Sequence, residues 1–342
     1  MKNFKGFHPW IFVILFLVLF FTIVLTMLVG SMGPIGGGNY EKISFQMFLD
    51  ILLGRSDSSI HRAIVLNIRL PRIFLAVLVG AALAVSGTAM QGVFKNPMAD
   101  PYIIGVSSGA AVGAAISIFV GIKVGFLLPI FAFLGALLAV FLVYYVSRIG
   151  GKVKVGTLLL SGIAIGSFLS AVTSFLIYMA GKQLHFLVFW LMGGLDSASW
   201  TAVFIASPPI LLGSVSIFLF SRHLNVLTLG DEPALNLGID TDRTRKILLI
   251  LTALIAGVAV AFSGIIGFVG LIIPHIMRIL VGPNHRTLLP ASALAGAIFL
   301  IWADTLARTI VSPTELPVGI ITALCGAPFF LYLLRKNRRG LM

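Results

Sequence analysis

Long apolar runs, separated by short polar stretches, are the feature that most restricts how this chain can fold. A helix needs about 20 apolar residues to cross a bilayer, where its backbone must satisfy its own hydrogen bonds. Charged residues make up only 10% of the 342 positions, whereas soluble domains carry about 25%. So few charges cannot cover a soluble surface, and the chain is predicted to be an integral membrane protein.

The apolar runs predict an all-α, polytopic membrane protein with about ten transmembrane helices in a single domain, residues 1–342. The predicted spans are residues 10–30, 70–90, 102–120, 126–146, 156–179, 201–220, 247–266, 269–281, 288–310 and 318–334. Lys2 and Lys5 precede the first run as in a signal peptide, but its length and the later spans favour an uncleaved span. Residues 31–66 are predicted to form an external loop, with a short surface helix at 43–53.

The positions of the basic residues predict the orientation of the chain. With the N-terminus inside, 16 of the 24 lysines and arginines fall on internal segments. The external ones are Lys42, Arg55, Arg62, Arg69, Arg72, Lys123, Lys182 and Arg308. Because cytoplasmic loops are enriched in basic residues, this bias predicts that both termini are cytoplasmic. The net charge of +13 is spread between apolar runs, which argues against a nucleic-acid surface.

Few residues suggest chemistry. Cys325 is the single cysteine, so an intrachain disulfide and a thiolate metal site are excluded. The sequence contains no GxxxxGK[ST], HExxH, GxSxG or CxxC motif, and no catalytic residue, metal or bound cofactor is predicted. An intramembrane enzyme would need His275 and Asp304 to converge, which the sequence does not show.

A weak internal repeat predicts two inverted halves. Gly80, Ala82, Ala84, Ser86, Gly87 and Pro97 align, at a constant offset, with Gly257, Ala259, Ala261, Ser263, Gly264 and Pro274. In a ten-span topology the second and seventh spans run in opposite directions. Inverted repeats of this kind are common in transporters.

The segment at 69–113 is the most distinctive. An apolar run is followed by a polar turn at 95–101 and then by Gly105, Gly109 and Gly113. Glycines at every fourth position share one helix face, where another helix can approach closely in lipid.

The literal residues add a resemblance. RLPR at 69–72 and NPMADPYIIGVSSGA at 96–110, together with blocks at 273–278 and 315–317, resemble the ABC-importer permeases that take up iron-siderophores, haem and cobalamin. The resemblance covers residues 69–342. It implies a transport subunit and no enzyme, with ATP and Mg²⁺ bound by a partner ATPase. It also implies a homodimer, two ATPase subunits, an extracytoplasmic substrate-binding protein and a location in the cytoplasmic membrane of a prokaryote.

In that family, arginines at the outer surface receive acidic residues of the binding protein. The resemblance assigns this docking role to Arg69, Arg72 and Arg308, which position alone would make interfacial anchors. Arginine suits the task because its pairing with carboxylates is strong and directional. Asp304 lies four residues before Arg308, and a structural ion pair between the two is predicted.

The polar segment at 221–246 contains LGDEPALNLG at 229–238. Asp231, Glu232 and Pro233 predict a helix start there. The resemblance makes this the segment that couples to the ATPase, through Leu229, Gly230, Asp231, Glu232, Ala234, Leu237 and Gly238. It makes the start of the fifth span part of the translocation path or gate, with Gly156, Thr157, Ser161 and Gly162 as candidates.

The alternative from another class is an ion-coupled secondary transporter. It requires ion-binding carboxylates or broken helices near the membrane centre, and among the carboxylates only Asp304 qualifies. The cargo stays open between a ferric siderophore, haem and cobalamin. An iron chelate is favoured because that branch of the family is the largest.

Overall fold

The computed structural model describes residues 9–29, 45–55, 59–121, 127–149 and 152–338, and these are almost entirely helical. The helices are α1 (Pro9–Leu28), α2 (Phe45–Leu52), α3 (Ser59–Ala63), α4 (Leu70–Val93), α5 (Val106–Phe119), α6 (Leu127–Ser147), α7 (Val155–Met179), α8 (Leu184–Met192), α9 (Trp200–Leu219), α10 (Ser221–Leu227), α11 (Asp231–Asn236), α12 (Thr241–Ser263), α13 (Val269–Val281), α14 (His285–Thr309) and α15 (Val318–Arg338). The predicted all-α class is confirmed. Strands β1 (Arg148–Ile149) and β2 (Lys152–Val153) form a two-residue antiparallel ladder between α6 and α7.

Most of the predicted spans coincide with helices. Within the described residues, seven helices are long and apolar enough to cross a membrane. Three shorter apolar helices, α5, α13 and α15, lie at the predicted third, eighth and tenth spans. The predicted surface helix is α2, whose Phe48 and Ile51 pack into the core. Of the predicted external loop, residues 31–44 and 56–58 lie outside the described residues, as does Gly30 at the end of the first span.

Several boundaries differ from the prediction. A π-helical segment, Ile64–Arg69, joins α3 to α4 without a break, so helical structure starts at Ser59 and the external loop is shorter than predicted. Helix α12 begins six residues earlier than expected because Asp240 caps it, its carboxylate accepting from the Arg243 backbone N–H at 2.9 Å. It ends at Gly264, whose φ of 64° a helix cannot continue.

Helices α4 and α14 lie antiparallel and define the two ends of the bundle. At one end, called here the Arg72 end, Arg72 of α4 contacts Asp304 of α14. At the other, the Lys95 end, Gly92 near the end of α4 lies against His285 at the start of α14. Helix α12 also runs antiparallel to α4, as the inverted repeat predicts.

Helices α5 and α13 both begin inside the bundle. A 3-10 turn, Pro101–Ile104, precedes α5, which starts only after Gly105 at φ 87°, so the predicted third span began too early. Helix α13 starts after Phe268, also in the left-handed region at φ 69°. The two irregular segments meet, since the Tyr102 hydroxyl donates to the Ile266 carbonyl at 2.9 Å. Each half therefore contains a long helix, an irregular segment and a short helix. The predicted constant offset does not hold to its end, since Pro97 lies in the turn after α4 whereas Pro274 lies inside α13.

Glycines let the helix backbones touch. Gly109 and Gly113 face the backbone of α6 at Gly135 and Phe131, which confirms the predicted small-residue face of α5. Gly80 of α4 and Gly296 of α14 face each other in the same way, and a Cβ on either would collide with the other's carbonyl oxygen. In lipid, where apolar side chains gain little from contact, such close approach is a main source of helix association.

We expect Gly80→Ala to lower stability, because its methyl group forces α4 and α14 apart at a backbone contact. The expected cost is about 1–3 kcal/mol, the usual range for overpacking. Thermal unfolding in detergent, followed by tryptophan fluorescence, measures it. Gly156→Ala is the matched control, since nothing lies within 4 Å of a Cβ there. Equal melting temperatures in the two variants would contradict the importance of the contact.

Candidate functional site

A cluster of buried charges lies at the Arg72 end. The side chain of Arg72 makes a bidentate pair with Asp304, Nη2 donating to Oδ1 at 2.8 Å and Nε lying 3.0 and 3.1 Å from the two carboxylate oxygens. Its Nη1 donates to Glu315 Oε2 at 2.7 Å. Arg308 Nε lies 3.1 Å from the second oxygen of Asp304. Arg69 donates to the Met27 carbonyl at 2.6 Å. These five side chains, Arg69, Arg72, Asp304, Arg308 and Glu315, are called the arginine cluster below.

The cluster confirms one prediction and adds to another. The i, i+4 ion pair of Asp304 and Arg308 is present. All three arginines assigned to docking are gathered at one end, but each is at most 7% exposed. In this conformation each of the three arginines already has a hydrogen-bond or ion-pair partner within the chain, so a docking partner must change the cluster to reach them.

A cavity of about 290 Å³ opens beside the arginine cluster. The residues that line it include Arg72, Glu315 and Asp196. Phe186, Phe189 and Trp190 of α8 supply an aromatic side. Helix α8 falls in none of the predicted spans, because its nine residues are too few to cross a membrane.

Three glycines hold the wall of this cavity together. A Cβ on Gly193 would meet the Ile265 carbonyl, one on Gly264 the Trp190 carbonyl, and one on Gly319 the Met192 carbonyl. The Gly194 N–H donates to the Ser263 carbonyl at 2.8 Å. Here the end of α8, the end of α12 and the start of α15 therefore meet backbone to backbone. Gly319, at this point, lies four residues after Glu315 in the sequence. This meeting point is called the glycine junction.

The predicted coupling segment, residues 229–238, lies at the Lys95 end. It contains α11, which starts at Asp231 as predicted. Asp231 forms ion pairs with Lys95, just beyond α4, and with Arg245 of α12. The hydrogen bond from Arg245, and after it the one from Lys95, holds the pKa of Asp231 below its usual value, against the opposing effect of burial. The segment is thus tied by one carboxylate to both halves of the chain.

The outer face of the coupling segment is apolar. Leu229, Leu235 and Leu237 are each more than half exposed, and Glu232 beside them is exposed too. Ala234 is fully buried, so it anchors the segment instead of presenting a contact to a partner. Exposed leucines on a polar loop are typical of an interaction surface.

A second polar contact links this end to α14. Asn225 of α10 accepts from the His285 backbone N–H and from His285 Nδ1, both at 2.8 Å, and its amide donates to Asn284 Oδ1 at 2.8 Å. Helix α10 leads directly into the coupling segment. A displacement of the coupling segment is therefore transmitted to the start of α14.

The four path candidates occupy different surroundings on α7. Gly156 is exposed, whereas Gly162 is buried with its backbone against the Ile103 carbonyl. The Thr157 hydroxyl lies 2.8 Å from the Lys154 carbonyl and 3.0 Å from that of Ser147. Ser161 is half-buried. Gly162 therefore has a packing contact within the chain, and a path role for the four stays a prediction.

Sequence reasoning missed some of these partners. Glu315 was noted only as part of an ELP block, and its pairing with Arg72 joins residues 243 positions apart. Lys95 and Asp231 are separated by 136. Opposite charges at corresponding ends of predicted antiparallel spans were the available signal. The contacts that an enzyme would need do not form, since His275 packs on Phe329 while Asp304 pairs with two arginines.

The chain was compared with known families and proteins. Residues 16–336 match the FecCD transport family. The chain belongs to this family of permeases. The cobalamin import system permease protein of Halobacterium salinarum is 52% identical over 81% of this chain and 74% of its own length. The hemin transport system permease protein of Yersinia pestis is 46% identical over 80% of this chain and 83% of its own.

A solved structure agrees with the family. It is an inward-facing conformation of an ABC transporter assigned to the metal-chelate type, and it superimposes with a TM-score of 0.83 at 34% identity. It covers 96% of this chain and 100% of the solved one. The permease is therefore the multi-pass membrane subunit of a prokaryotic ABC importer. A separate ATPase hydrolyses the ATP, and a substrate-binding protein delivers the cargo. The ion-coupled alternative is thereby set aside.

We expect Asp304→Asn to destabilise the permease strongly. It leaves the buried guanidinium groups of Arg72 and Arg308 without their shared carboxylate. Removing one member of a buried ion pair costs about 3–5 kcal/mol. Thermal unfolding in lipid nanodiscs measures the loss. Asp196→Asn, the same change at an exposed carboxylate, should stay within about 0.5 kcal/mol of the wild type. Equal melting temperatures for the two variants would contradict a stabilising role for Asp304.

We expect the ion pairs of Asp231 with Lys95 and Arg245, called here the tether of α11, to persist at pH 5. A lowered folded pKa means that the stabilisation is present above the ordinary value of 3.8 and is lost only as the pH falls through the folded pKa. After correction for intrinsic exchange rates, hydrogen–deuterium exchange of residues 231–236 should be equal at pH 7 and pH 5. Asp231→Asn should speed this exchange severalfold at both values, whereas Glu232→Gln should not. Equal exchange in the two variants would contradict the tether.

Proposed function

We propose that the permease works as a homodimer that carries a metal chelate into the cytoplasm. The chelate is cobalamin or an iron chelate such as haem. The observation that carries the scheme is that the arginine cluster and the coupling segment occupy opposite ends of α4 and α14. A subunit that receives cargo on one face and ATPase motion on the other needs this separation. The basic residues favour the Arg72 end as the outer one and the coupling segment and both termini as cytoplasmic.

The cargo proposal rests on the relatives. The two described above are named for cobalamin and hemin, and a Bacillus subtilis relative of 41% identity is named for Fe(3+)-citrate. All three cargoes are metal chelates. The binding protein supplies most of the selection, because the described part of the permease contains no group of three or more metal-ligating side chains that would select a metal.

Transmission between the ends follows from the contacts. ATP binding and hydrolysis move the ATPase, which engages Leu229, Gly230, Glu232, Leu237 and Gly238. Asp231 carries this movement to α12 and to the turn after α4, and Asn225 carries it to α14. The paired helices then reorient, and the path between two copies opens to one side at a time. The candidate path residues Gly156, Thr157 and Ser161 lie on α7.

Transport is the direct test. Proteoliposomes that contain the permease, its ATPase and lumenal ATP should accumulate radiolabelled cobalamin or ⁵⁵Fe-haem only when the loaded binding protein is outside. Omitting ATP or the ATPase should abolish uptake. Accumulation by the permease alone, driven by a proton or sodium gradient, would overturn the proposal.

Cross-linking should place the two partners on opposite ends. In a Cys325→Ser background, Thr314→Cys with benzophenone-maleimide should capture the binding protein, because Thr314 is exposed next to Glu315. Leu237→Cys with the same reagent should capture the ATPase. Each variant serves as the control for the other. Capture of both partners from one position would refute the assignment of the ends.

A further inference from the structure

The arginine cluster has an excess of positive charge. Three guanidinium groups face two carboxylates, Asp304 and Glu315, and the positive charges of Arg69 and Arg308 act on each other. Among the described side chains the cluster therefore carries a net positive charge, which favours an anionic partner. The chemistry that fits is a carboxylate of a protein partner, since arginine binds carboxylates through paired hydrogen bonds.

The two carboxylates of the cluster are held unequally. Asp304 is 2% exposed and is shared by Arg72 and Arg308. Glu315 has a side chain that is 39% exposed and, within the described residues, makes one ion pair, to Nη1 of Arg72. An exposed carboxylate with one partner exchanges more readily with solvent or another anion than a buried one with two.

Access to Arg72 runs through Glu315. The Arg72 side chain is only 8% exposed, and its Nε and Nη2 are occupied by Asp304. The third donor position, Nη1, is covered by Glu315. Among these contacts, the one to Glu315 is the one that a partly exposed side chain makes, so an incoming carboxylate most readily reaches the guanidinium group where Glu315 now binds.

We propose that Glu315 occupies the position on Arg72 that an acidic residue of the substrate-binding protein takes when this protein docks. Docking thus exchanges one carboxylate for the other. This inference rests on the proposed function, which puts the binding protein at the Arg72 end. Exchange keeps Nη1 paired, so docking never leaves the buried charge without a carboxylate. The pairing of Arg72 with Asp304 stays intact, and the fold is undisturbed.

The exchange also has a structural consequence. Glu315, Leu316 and Pro317 line the cavity beside the cluster, and Gly319 belongs to the glycine junction with the ends of α8 and α12. The Thr314 N–H donates to the Val311 carbonyl at 3.1 Å and the Leu316 N–H to the Ala307 carbonyl at 3.0 Å, so the backbone is held on both sides of Glu315. Release of Glu315 thus changes the wall of the cavity at the moment when a cargo-bearing partner arrives.

The test compares Glu315→Ala with Asp196→Ala. Both remove one negative charge from the same cavity wall, but only Glu315 pairs with Arg72. Surface plasmon resonance on the nanodisc-embedded transporter, with the co-purified binding protein as analyte, should show roughly fivefold tighter docking for Glu315→Ala, the range of a partly exposed ion pair. Asp196→Ala should gain clearly less. Phenylglyoxal should modify Arg72 faster in Glu315→Ala alone, as read by peptide mass spectrometry.

The outcomes separate the two proposals. If Thr314→Cys still captures the binding protein, either of two results would overturn the exchange. One is equal docking affinity in Glu315→Ala and Asp196→Ala, and the other is weaker docking in Glu315→Ala than in the wild type. Failure of that capture would overturn the docking site itself. Glu315→Gln, which keeps the side-chain size, repeats the comparison if the alanine variant is unstable. It should tighten docking in the same direction if the exchange occurs.

Discussion

The contact between α4 and α14 is the interaction on which the rest of the structure depends. Gly80 and Gly296 bring the two backbones together in the middle, and Asp304 fixes the pair at one end by binding Arg72 and Arg308. A buried carboxylate is costly in lipid unless it is fully paired, and here two guanidinium groups and a tight helix crossing remove that cost. Two long helices thereby become one rigid unit.

This rigid unit explains how two distant surfaces belong to one mechanism. Each helix begins at one surface and ends at the other, and each carries polar contacts at both. The coupling segment is attached to α12 by Asp231 and is linked to α14 through α10 and Asn225. Displacement at the coupling segment is then transferred by whole helices, because close-packed interiors respond as units and not by gradual bending.

The sequence was sufficient for the spans, the family and the local ion pair, and insufficient for long-range partners. Apolar length predicts helices well, and the spacing of Asp304 and Arg308 predicts their contact. The burial of Arg72 and its sharing between Asp304 and Glu315 depend on the packing of α4 on α14, which no local pattern encodes. The predicted eighth span, 269–281, coincides with α13, whereas the start of α5 was placed too early because hydropathy does not register the 3-10 turn and Gly105 before it. Helix α8 was missed because its nine residues, apolar except for His185, are too few for a span and are compatible with a surface stretch.

The short helices α5 and α13 bear on how the chain enters the membrane. Helix α5 has 14 residues and α13 has 13, so each rises about 20 Å, against a hydrocarbon layer of roughly 30 Å. Neither can be released into lipid as an independent segment without exposing the irregular backbone before it. The glycine face of α5 must therefore find α6 during insertion, and biogenesis must deliver neighbouring helices together and not one by one.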